Sequence, residues 1–271
     1  MSTQTSELLS VEVADSVGTI TLHHKTMPPR FFAALLAAAE SLEANPDVRA
    51  IVVRSDATSF SYGLDLKEAF AEHGALFTKG GLGGEREGLL KLVGELQAPL
   101  IALDEASVPV ICAVHGHCIG GGLDLATACD IRLAAADATF SLRETKIAMV
   151  ADLGSLQRLP KIVGAGHVRE LAFTGRDIDA ERANAIGLVN HVLADRDSLW
   201  AAAREMADEI ASNSPLAVRG VKKVLRFSEE HTVRDGLGYV GVWNSAFLAS
   251  EDLAEAVTAF VSKRKPTFKG R

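Results

Sequence analysis

Three acidic side chains, Asp124, Glu144 and Asp152, lie in a mostly apolar stretch, residues 120–160, that opens with three consecutive glycines. Carboxylates that share an apolar pocket have raised pKa values, because burial and mutual repulsion both disfavour the charged form. One such group can then be ionised while another is protonated, which is the requirement of general acid–base catalysis. The trio is therefore a candidate for general acid–base catalysis.

Each acid taken singly also has a structural interpretation. Asp152 precedes the helical pattern LGSLQRLP and could be its N-cap. Asp124 falls in the first turn of a short predicted helix, where the helix dipole favours an acid. Glu144, beside Arg143 and Lys146, could be a solvated charge. The residues alone leave these alternatives open.

The glycines before Asp124 predict a tight turn from a buried strand into a helix. GHCIGGG does not match the G-x-G-x-x-G pattern of dinucleotide-binding sites. At such a turn, unpaired backbone amides and the positive end of the helix dipole point at one spot, which favours negative charge. The alternative is that the glycines only allow close packing. Another glycine turn, FSYGLDLKE, lies earlier in the chain and could supply a second amide to complete an oxyanion hole.

Repeated strand and helix patterns must position these turns. Residues 11–22 predict a β-hairpin, residues 31–46 a helix, and VRAIVVRSD and VPVICAVHG two strands buried on both faces. The glycine-rich residues 72–88 predict a lid or a flexible surface segment. DIRLAAAD and ATFSLRE predict two further strands. From about residue 153 onward the pattern is nearly all helical, with one strand at LVNHVL and no helix assigned between PLAVRGVKKVLRFS and EDLAEAVTAFVSKRK.

Composition narrows the class of protein. The 271 residues are 48% hydrophobic and 23% charged, as in a globular α/β protein. A net charge of −7 disfavours nucleic-acid binding. No apolar run is long enough to span a membrane, and the absence of a targeting pattern at either end predicts a cytoplasmic location. Cys112, Cys118 and Cys129 predict buried thiols rather than disulfides, and we expect no metal site.

The chain resembles the crotonase, or enoyl-CoA hydratase/isomerase, superfamily. The resemblance rests on FSYGLDLKE, on VPVICAVHGHCIGGGLDLATACDIRLAAADATFSLRE and on SLQRLPKIVG, and extends to the terminal FVSKRKPTFKG. It implies an α/β spiral of repeated ββα units, a core domain over residues 1–195, and a C-terminal helical trimerisation region over residues 196–271. One departure is TMPPRFF, where many members have an Asn-Ala-Leu/Met-Asn motif; we expect it to affect chiefly the CoA-side wall.

The resemblance also implies acyl-CoA thioester substrates, with CoA as part of the substrate and no separate cofactor. Its oxyanion-hole amides correspond to Leu64 and Gly121. The substrate-binding positions it implies are Ser61, Tyr62, Gly63, Asp65 and Gly122. The family further implies a homotrimer, or a hexamer built as a dimer of trimers.

The three acids at this spacing resemble the dienoyl-CoA isomerase branch of the family, which converts 3,5-dienoyl-CoA to 2,4-dienoyl-CoA. Carried onto this chain, Glu144 is the base at C2, Asp152 the acid near C6, and Asp124 a supporting acid, in fatty-acid β-oxidation. The alternatives are an enoyl-CoA hydratase or a Δ3-Δ2-enoyl-CoA isomerase. A further alternative is an acyl-CoA-binding protein without catalysis.

Overall fold

The computed structural model describes residues 2–78, 81 and 83–271, with the side chains of residues 2–5 and 85 left out. Ten strands lie within these residues. They are β1 Ser2–Thr5, β2 Leu9–Ala14, β3 Val17–Leu22, β4 Ala50–Ser55, β5 Val110–Val114, β6 His117–Ile119, β7 Ile131–Ala135, β8 Thr139–Ser141, β9 Asp177–Asp179 and β10 His191–Leu193.

Helices follow most of the strands. They are α1 Pro29–Glu43, α2 Leu66–Thr78, α3 Gly83–Asp104, α4 Gly121–Thr127, α5 Ser155–Ile162, α6 Ala165–Thr174, α7 Ala180–Ala185, α8 Arg196–Ser212, α9 Pro215–Glu230, α10 Val233–Phe247 and α11 Glu251–Val261. A 3-10 helix covers Glu144–Ile147. No helix within the described residues is long and apolar enough to cross a membrane.

Seven strands form one sheet in the order β1-β2-β3-β4-β5-β7-β10. The first three pair antiparallel, and every pairing from β3 to β10 is parallel. A second sheet has the order β6-β8-β9. Both β4 and β5 are buried almost throughout, as expected for parallel strands covered on both faces. The carboxyl end of β5 leads directly into β6 and the second glycine turn.

Different helices cover the two faces of the large sheet. On one face, α1 contributes Phe31, Phe32 and Leu35 to the main core. On the other, α8 presents Ala203 and Ala207, whose small side chains let the helix lie close to β4, β5 and β7. The first helix of the predicted 196–271 region thus packs on the core sheet, while α9 to α11 carry many exposed apolar side chains. The division at residue 195 stays a prediction.

Most predicted elements are present, with three corrections. Within residues 72–88, α2 continues to Thr78 and α3 begins at Gly83, so the described part of the predicted lid is helical. Residues 79, 80 and 82 lie outside the described residues. The residues SLRE continue from β8 into the 3-10 helix rather than a longer strand. Helix α10 was not predicted, because three glycines interrupt its apolar pattern.

Candidate active site

The first glycine turn, residues 61–65, lies against the segment before α1. Met27 donates its amide to Gly63 O at 2.8 Å, and Asp65 donates its amide to Met27 O at 2.9 Å. Met27 and Leu64 are therefore paired as a parallel bridge. The TMPPRFF segment, expected to affect mainly the CoA-side wall, thus fixes the backbone of the residue that carries the predicted oxyanion amide.

The second glycine turn, residues 120–122, follows β6 rather than β5, since the short strand β6 intervenes. A Cβ atom on Gly63, whose φ is +81°, would lie 2.7 Å from the Gly121 nitrogen. One on Gly122 would lie 2.8 Å from Ser61 O. The two turns therefore touch backbone to backbone, and only glycine permits this approach.

This contact brings the two predicted oxyanion amides together. The Leu64 nitrogen lies 3.4 Å from the position of a Cβ on Gly121. Gly121 is the first residue of α4, so its amide has no acceptor within that helix. Among the described residues, the backbone hydrogen bonds outside helices and strands include none donated by either amide. We call residues 63–64 and 120–122 the amide pocket.

The residues predicted to bind substrate mostly stabilise this pocket. Ser61 is fully buried, and its hydroxyl accepts a hydrogen bond from the Gly63 amide at 2.9 Å. Asp65 accepts from the Glu68 amide at 3.1 Å and from the Thr26 hydroxyl at 3.0 Å, as a cap of α2. Their contacts are structural, and substrate binding by them stays a prediction.

Two further predicted positions differ in exposure. Tyr62 is 40% exposed, and its ring centroid lies 4.9 Å from that of His117. Gly122 is buried beneath Ser61. Tyr62 is therefore the predicted binding residue with the most side-chain surface available for a ligand.

Asp124 lies on the buried first turn of α4 and is 1% exposed. Its Oδ1 accepts a hydrogen bond from the Ser155 amide at 2.6 Å, which satisfies the first amide of α5. Burial raises the pKa of the Asp124 carboxyl to about 6, opposed by the hydrogen bonds from Ser155 and by the charge of Arg158. Asp124 is therefore the acid that holds the start of α5.

Glu144 begins the 3-10 helix and is half-buried. Its Oε1 lies 3.1 Å from the position of a Cβ on Gly120, so the carboxyl borders the amide pocket. Oε2 is buried and has no hydrogen-bond partner among the described residues. Burial, together with the smaller effects of the Asp124 and Asp152 charges, raises the pKa of Glu144 to about 7. The interpretation of Glu144 as a solvated charge does not hold, because its Oε2 is buried and the neighbouring Arg143 pairs with Asp177 instead.

Asp152 lies in the loop between the 3-10 helix and α5. It is not the N-cap of α5, a position that Gly154 occupies. The residue as a whole is exposed, yet the surrounding protein still raises the pKa of its carboxyl through partial burial. Asp152 and Gln97 line a groove of about 1370 Å³ that reaches α9; the amide pocket and Glu144 are not among its lining residues.

The three acids thus differ in how deeply they are buried. Asp124 is buried, Glu144 half-buried beside the amide pocket, and Asp152 on the wall of the groove. They interact electrostatically, since the charge of Asp152 raises the pKa values of both Asp124 and Glu144. We call residues 144–155 the acid loop. A group held at the amide pocket would face Glu144, with a second acid further along.

Sequence reasoning missed three residues that hold these parts. Met27 fixes Leu64, Gln97 donates to Asp152 O, and Arg158 donates to Leu153 O. Arg158 lies in the motif SLQRLP, which signalled a helix but not this contact. For Met27 and Gln97 no local signal exists, because each acts on a residue far away in the chain.

The profile of the family described as enoyl-CoA hydratase/isomerase matches residues 12–271, so the chain belongs to that family. The chain is similar to a solved structure described as enoyl-CoA hydratase from Bacillus anthracis. The TM-score is 0.87 at 30% identity, covering 97% of this chain and 99% of that one. The predicted crotonase-type α/β fold is thereby confirmed, while trimerisation stays a prediction.

Two curated relatives are named Delta(3,5)-Delta(2,4)-dienoyl-CoA isomerase. The mitochondrial protein of Dictyostelium discoideum is 41% identical over 249 residues, which cover 91% of this chain and 84% of that protein. The peroxisomal protein of Arabidopsis thaliana is 43% identical over 250 residues, which cover 91% and 88%. The predicted cytoplasmic location is wrong by this comparison, since these relatives are named for mitochondria and peroxisomes.

Proposed function

We propose that this chain is a Δ3,5-Δ2,4-dienoyl-CoA isomerase that moves a proton from C2 to C6 of a 3,5-dienoyl-CoA. The names of relatives about 40% identical to the chain support the activity. The observation that carries the mechanism is the Glu144 carboxyl, which has a buried oxygen without a hydrogen-bond partner among the described residues and borders the two glycine turns that bear the Leu64 and Gly121 amides.

In the first step, the thioester oxygen accepts hydrogen bonds from the amides of Leu64 and Gly121. Ionised Glu144 takes the proton from C2, and the electron pair of that C–H bond enters the conjugated system. The negative charge builds up on the thioester oxygen, where two fixed donors stabilise it without reorganisation. The pKa of about 7 suits Glu144 to this role, because a base works best when its pKa lies near the working pH.

In the second step, Asp152 donates a proton to C6. The double bonds then lie at C2 and C4, the thioester carbonyl is restored, and no electrons are gained or lost overall. Asp152 must be protonated before this step, and the acyl chain helps by displacing water from an exposed carboxyl whose pKa partial burial already raises. A proton returning from Glu144 to Asp152 resets the site.

The remaining parts of the proposal concern support and assembly. Asp124 holds α5 and, by its charge, raises the pKa of Glu144. Because the reaction is a proton transfer, it needs no cofactor beyond the CoA of the substrate. The exposed apolar side chains of α9 to α11 suit a homotrimer or a dimer of trimers. Fatty-acid β-oxidation is the setting that such a substrate implies.

The test is to incubate the purified protein with a 3,5-dienoyl-CoA and to follow the ultraviolet band of the 2,4-dienoyl product. We expect conversion, and a loss of more than about 10²-fold in Asp152→Asn, the range of general acid–base catalysis. Full activity in folded Asp152→Asn would remove Asp152 from the mechanism.

The same protein is then offered a 2-enoyl-CoA. Hydration without dienoyl conversion would mean that the protein is a hydratase and not a dienoyl-CoA isomerase. Binding of CoA esters without either reaction would favour a non-catalytic protein.

A further inference from the structure

The main chain that carries Asp152 is held at three successive points by side chains. Gln97 on α3 donates its Nε2 to Asp152 O at 2.5 Å. Arg158 on α5 donates to Leu153 O at 3.3 Å. Asp124 on α4 accepts from the Ser155 amide at 2.6 Å. These contacts fix a short segment that includes Gly154, whose φ of +121° is unfavourable for other residues.

The Asp152 carboxylate itself has no such support. Within the part of the chain that the structure describes, no side chain donates a hydrogen bond to it, and no ion pair includes it. Its position therefore depends on where the main chain places its Cα and on two side-chain rotations. Any group that fixes the carbonyl of residue 152 therefore also fixes the main chain from which the Asp152 side chain extends.

Gln97 is well suited to this task because α3 is firmly packed. Its neighbours Leu96 and Leu100 are 8% and 1% exposed and belong to the main core. The same helix ends at Asp104, whose carboxylate accepts from Arg158 Nε at 3.2 Å. Helix α3 therefore supports the acid-bearing segment twice, directly through Gln97 and indirectly through Asp104 and Arg158.

Glu144 is held by other contacts. Its carbonyl accepts from the Met149 amide at 3.0 Å, and the Thr145 hydroxyl beside it donates to Ala172 O at 3.0 Å. None of these partners belongs to α3. Loss of the Gln97 contact should therefore move Asp152 and leave Glu144 in place.

We propose that Gln97 is a positioning residue for Asp152, and that it controls the protonation at C6 without affecting proton removal at C2. This inference rests on the proposed function, because the two acids must act at different carbons. A displacement of about 1 Å at a reacting group can reduce the rate by as much as about 10²-fold, so a single anchoring hydrogen bond is enough to matter.

The experiment uses Gln97→Met, which keeps the size of the side chain and removes the donor, with Glu95→Gln on an exposed part of the same helix as its control. Each protein is incubated with a 3,5-dienoyl-CoA in deuterium oxide. Two rates are measured: exchange of the C2 hydrogens and appearance of the 2,4-diene. Gln97→Glu, which replaces the donor with an acceptor of the same length, is the second variant in case Gln97→Met does not fold.

We expect Gln97→Met to lower the rate of diene formation by about 10-fold or more while C2 exchange and KM stay near their original values. Equal losses in both rates would mean a general structural role, and unchanged rates would mean no role; either result overturns the inference. If the original protein forms no diene, the proposed function itself fails and the inference falls with it. Failure of the inference and failure of the proposed function are therefore distinguishable.

Discussion

The amide pocket and the acid loop lie side by side but are constructed in opposite ways. The pocket consists of main-chain atoms in two turns that touch through glycines, with its flanking Ser61 fully buried. The acid loop carries the half-buried Glu144 and the exposed Asp152, and the buried Asp124 of α4 contacts it at Ser155. A main-chain pocket leaves little freedom for change, whereas the Glu144 and Asp152 carboxylates accept no hydrogen bond from another described residue.

The two regions would therefore contribute different parts of the chemistry. In the proposed mechanism, the amide pocket would serve any thioester whose oxygen must bear negative charge. The acids would decide where protons leave and arrive, and so would select the reaction. Changes in the pocket should abolish every reaction of the enzyme, while changes in the acid loop should remove single steps.

The largest effect expected in the acid loop comes from Glu144→Gln. Without the base, we expect both C2 exchange and diene formation to fall by about 10³-fold, within the range for general base catalysis. The measurement is the pair of rates in deuterium oxide, with Glu205→Gln, exposed on α8, as control. C2 exchange that persists in Glu144→Gln would assign the base to another group.

Gly63→Ala is the corresponding change in the amide pocket. The added methyl group would lie 2.7 Å from the Gly121 nitrogen and 2.8 Å from Ile119 O, at a φ of +81°. The turns must separate, so we expect both rates to fall by about 10²- to 10³-fold, as for loss of an oxyanion donor. A lower melting temperature should accompany this loss.

The control for this variant is Gly94→Ala. Nothing lies within 4 Å of a Cβ at that helical position, so alanine should leave activity unchanged. Normal C2 exchange in Gly63→Ala would show that the amides are not needed for enolate formation. That result would contradict the distinction drawn between the two regions.

The sequence predicts the amide pocket better than the acid loop, for a physical reason. Close backbone approach restricts Gly63 and Gly122 to glycine, so the residue types within each turn already indicate the pocket. The position of Asp152 depends instead on Gln97, which lies on α3, 55 residues earlier in the chain. No local pattern encodes such contacts.

The start of α5 shows the same limit of prediction from sequence. The cap expected from Asp152 is supplied by Asp124, which reaches the Ser155 amide from another helix. A sequence pattern identified a carboxylate near the start of α5 but not which of the two folds against it. Helix α10 was missed because its burial is slight and its glycines weaken the helical pattern.

A smaller effect is expected from pH. Glu144 must be ionised to act as the base, and its pKa is raised to about 7. The value of kcat/KM should therefore fall as pH decreases below about 7, approaching about tenfold per pH unit. In Asp124→Asn the midpoint should move to lower pH, because the charge of Asp124 raises the pKa of Glu144. An unmoved midpoint would mean that the charge of Asp124 does not affect the pKa of Glu144.

The smallest effect concerns stability and again distinguishes the buried acid from its surroundings. The pKa of Asp124 is raised from 3.8 to about 6 in the folded protein, so the folded state binds more protons than the unfolded state between these values. The free energy of unfolding must then decrease as pH rises through this window, and it stays lowered above it. The upper limit of the loss is about 3 kcal/mol, at about 1.4 kcal/mol for each unit of pKa shift.

Asp124→Asn should therefore be more stable than the original protein at pH 8, by about 1 kcal/mol, and this gain should shrink toward pH 4. The expected gain is below the limit because the Asn oxygen accepts a weaker hydrogen bond from the Ser155 amide than the carboxylate does. Urea unfolding at both pH values provides the measurement, with exposed Asp47→Asn as control. A variant less stable at pH 8 than at pH 4, relative to the original protein, would mean that the Ser155 hydrogen bond outweighs the cost of burying the charge, and that Asp124 is retained for α5 rather than for its proton.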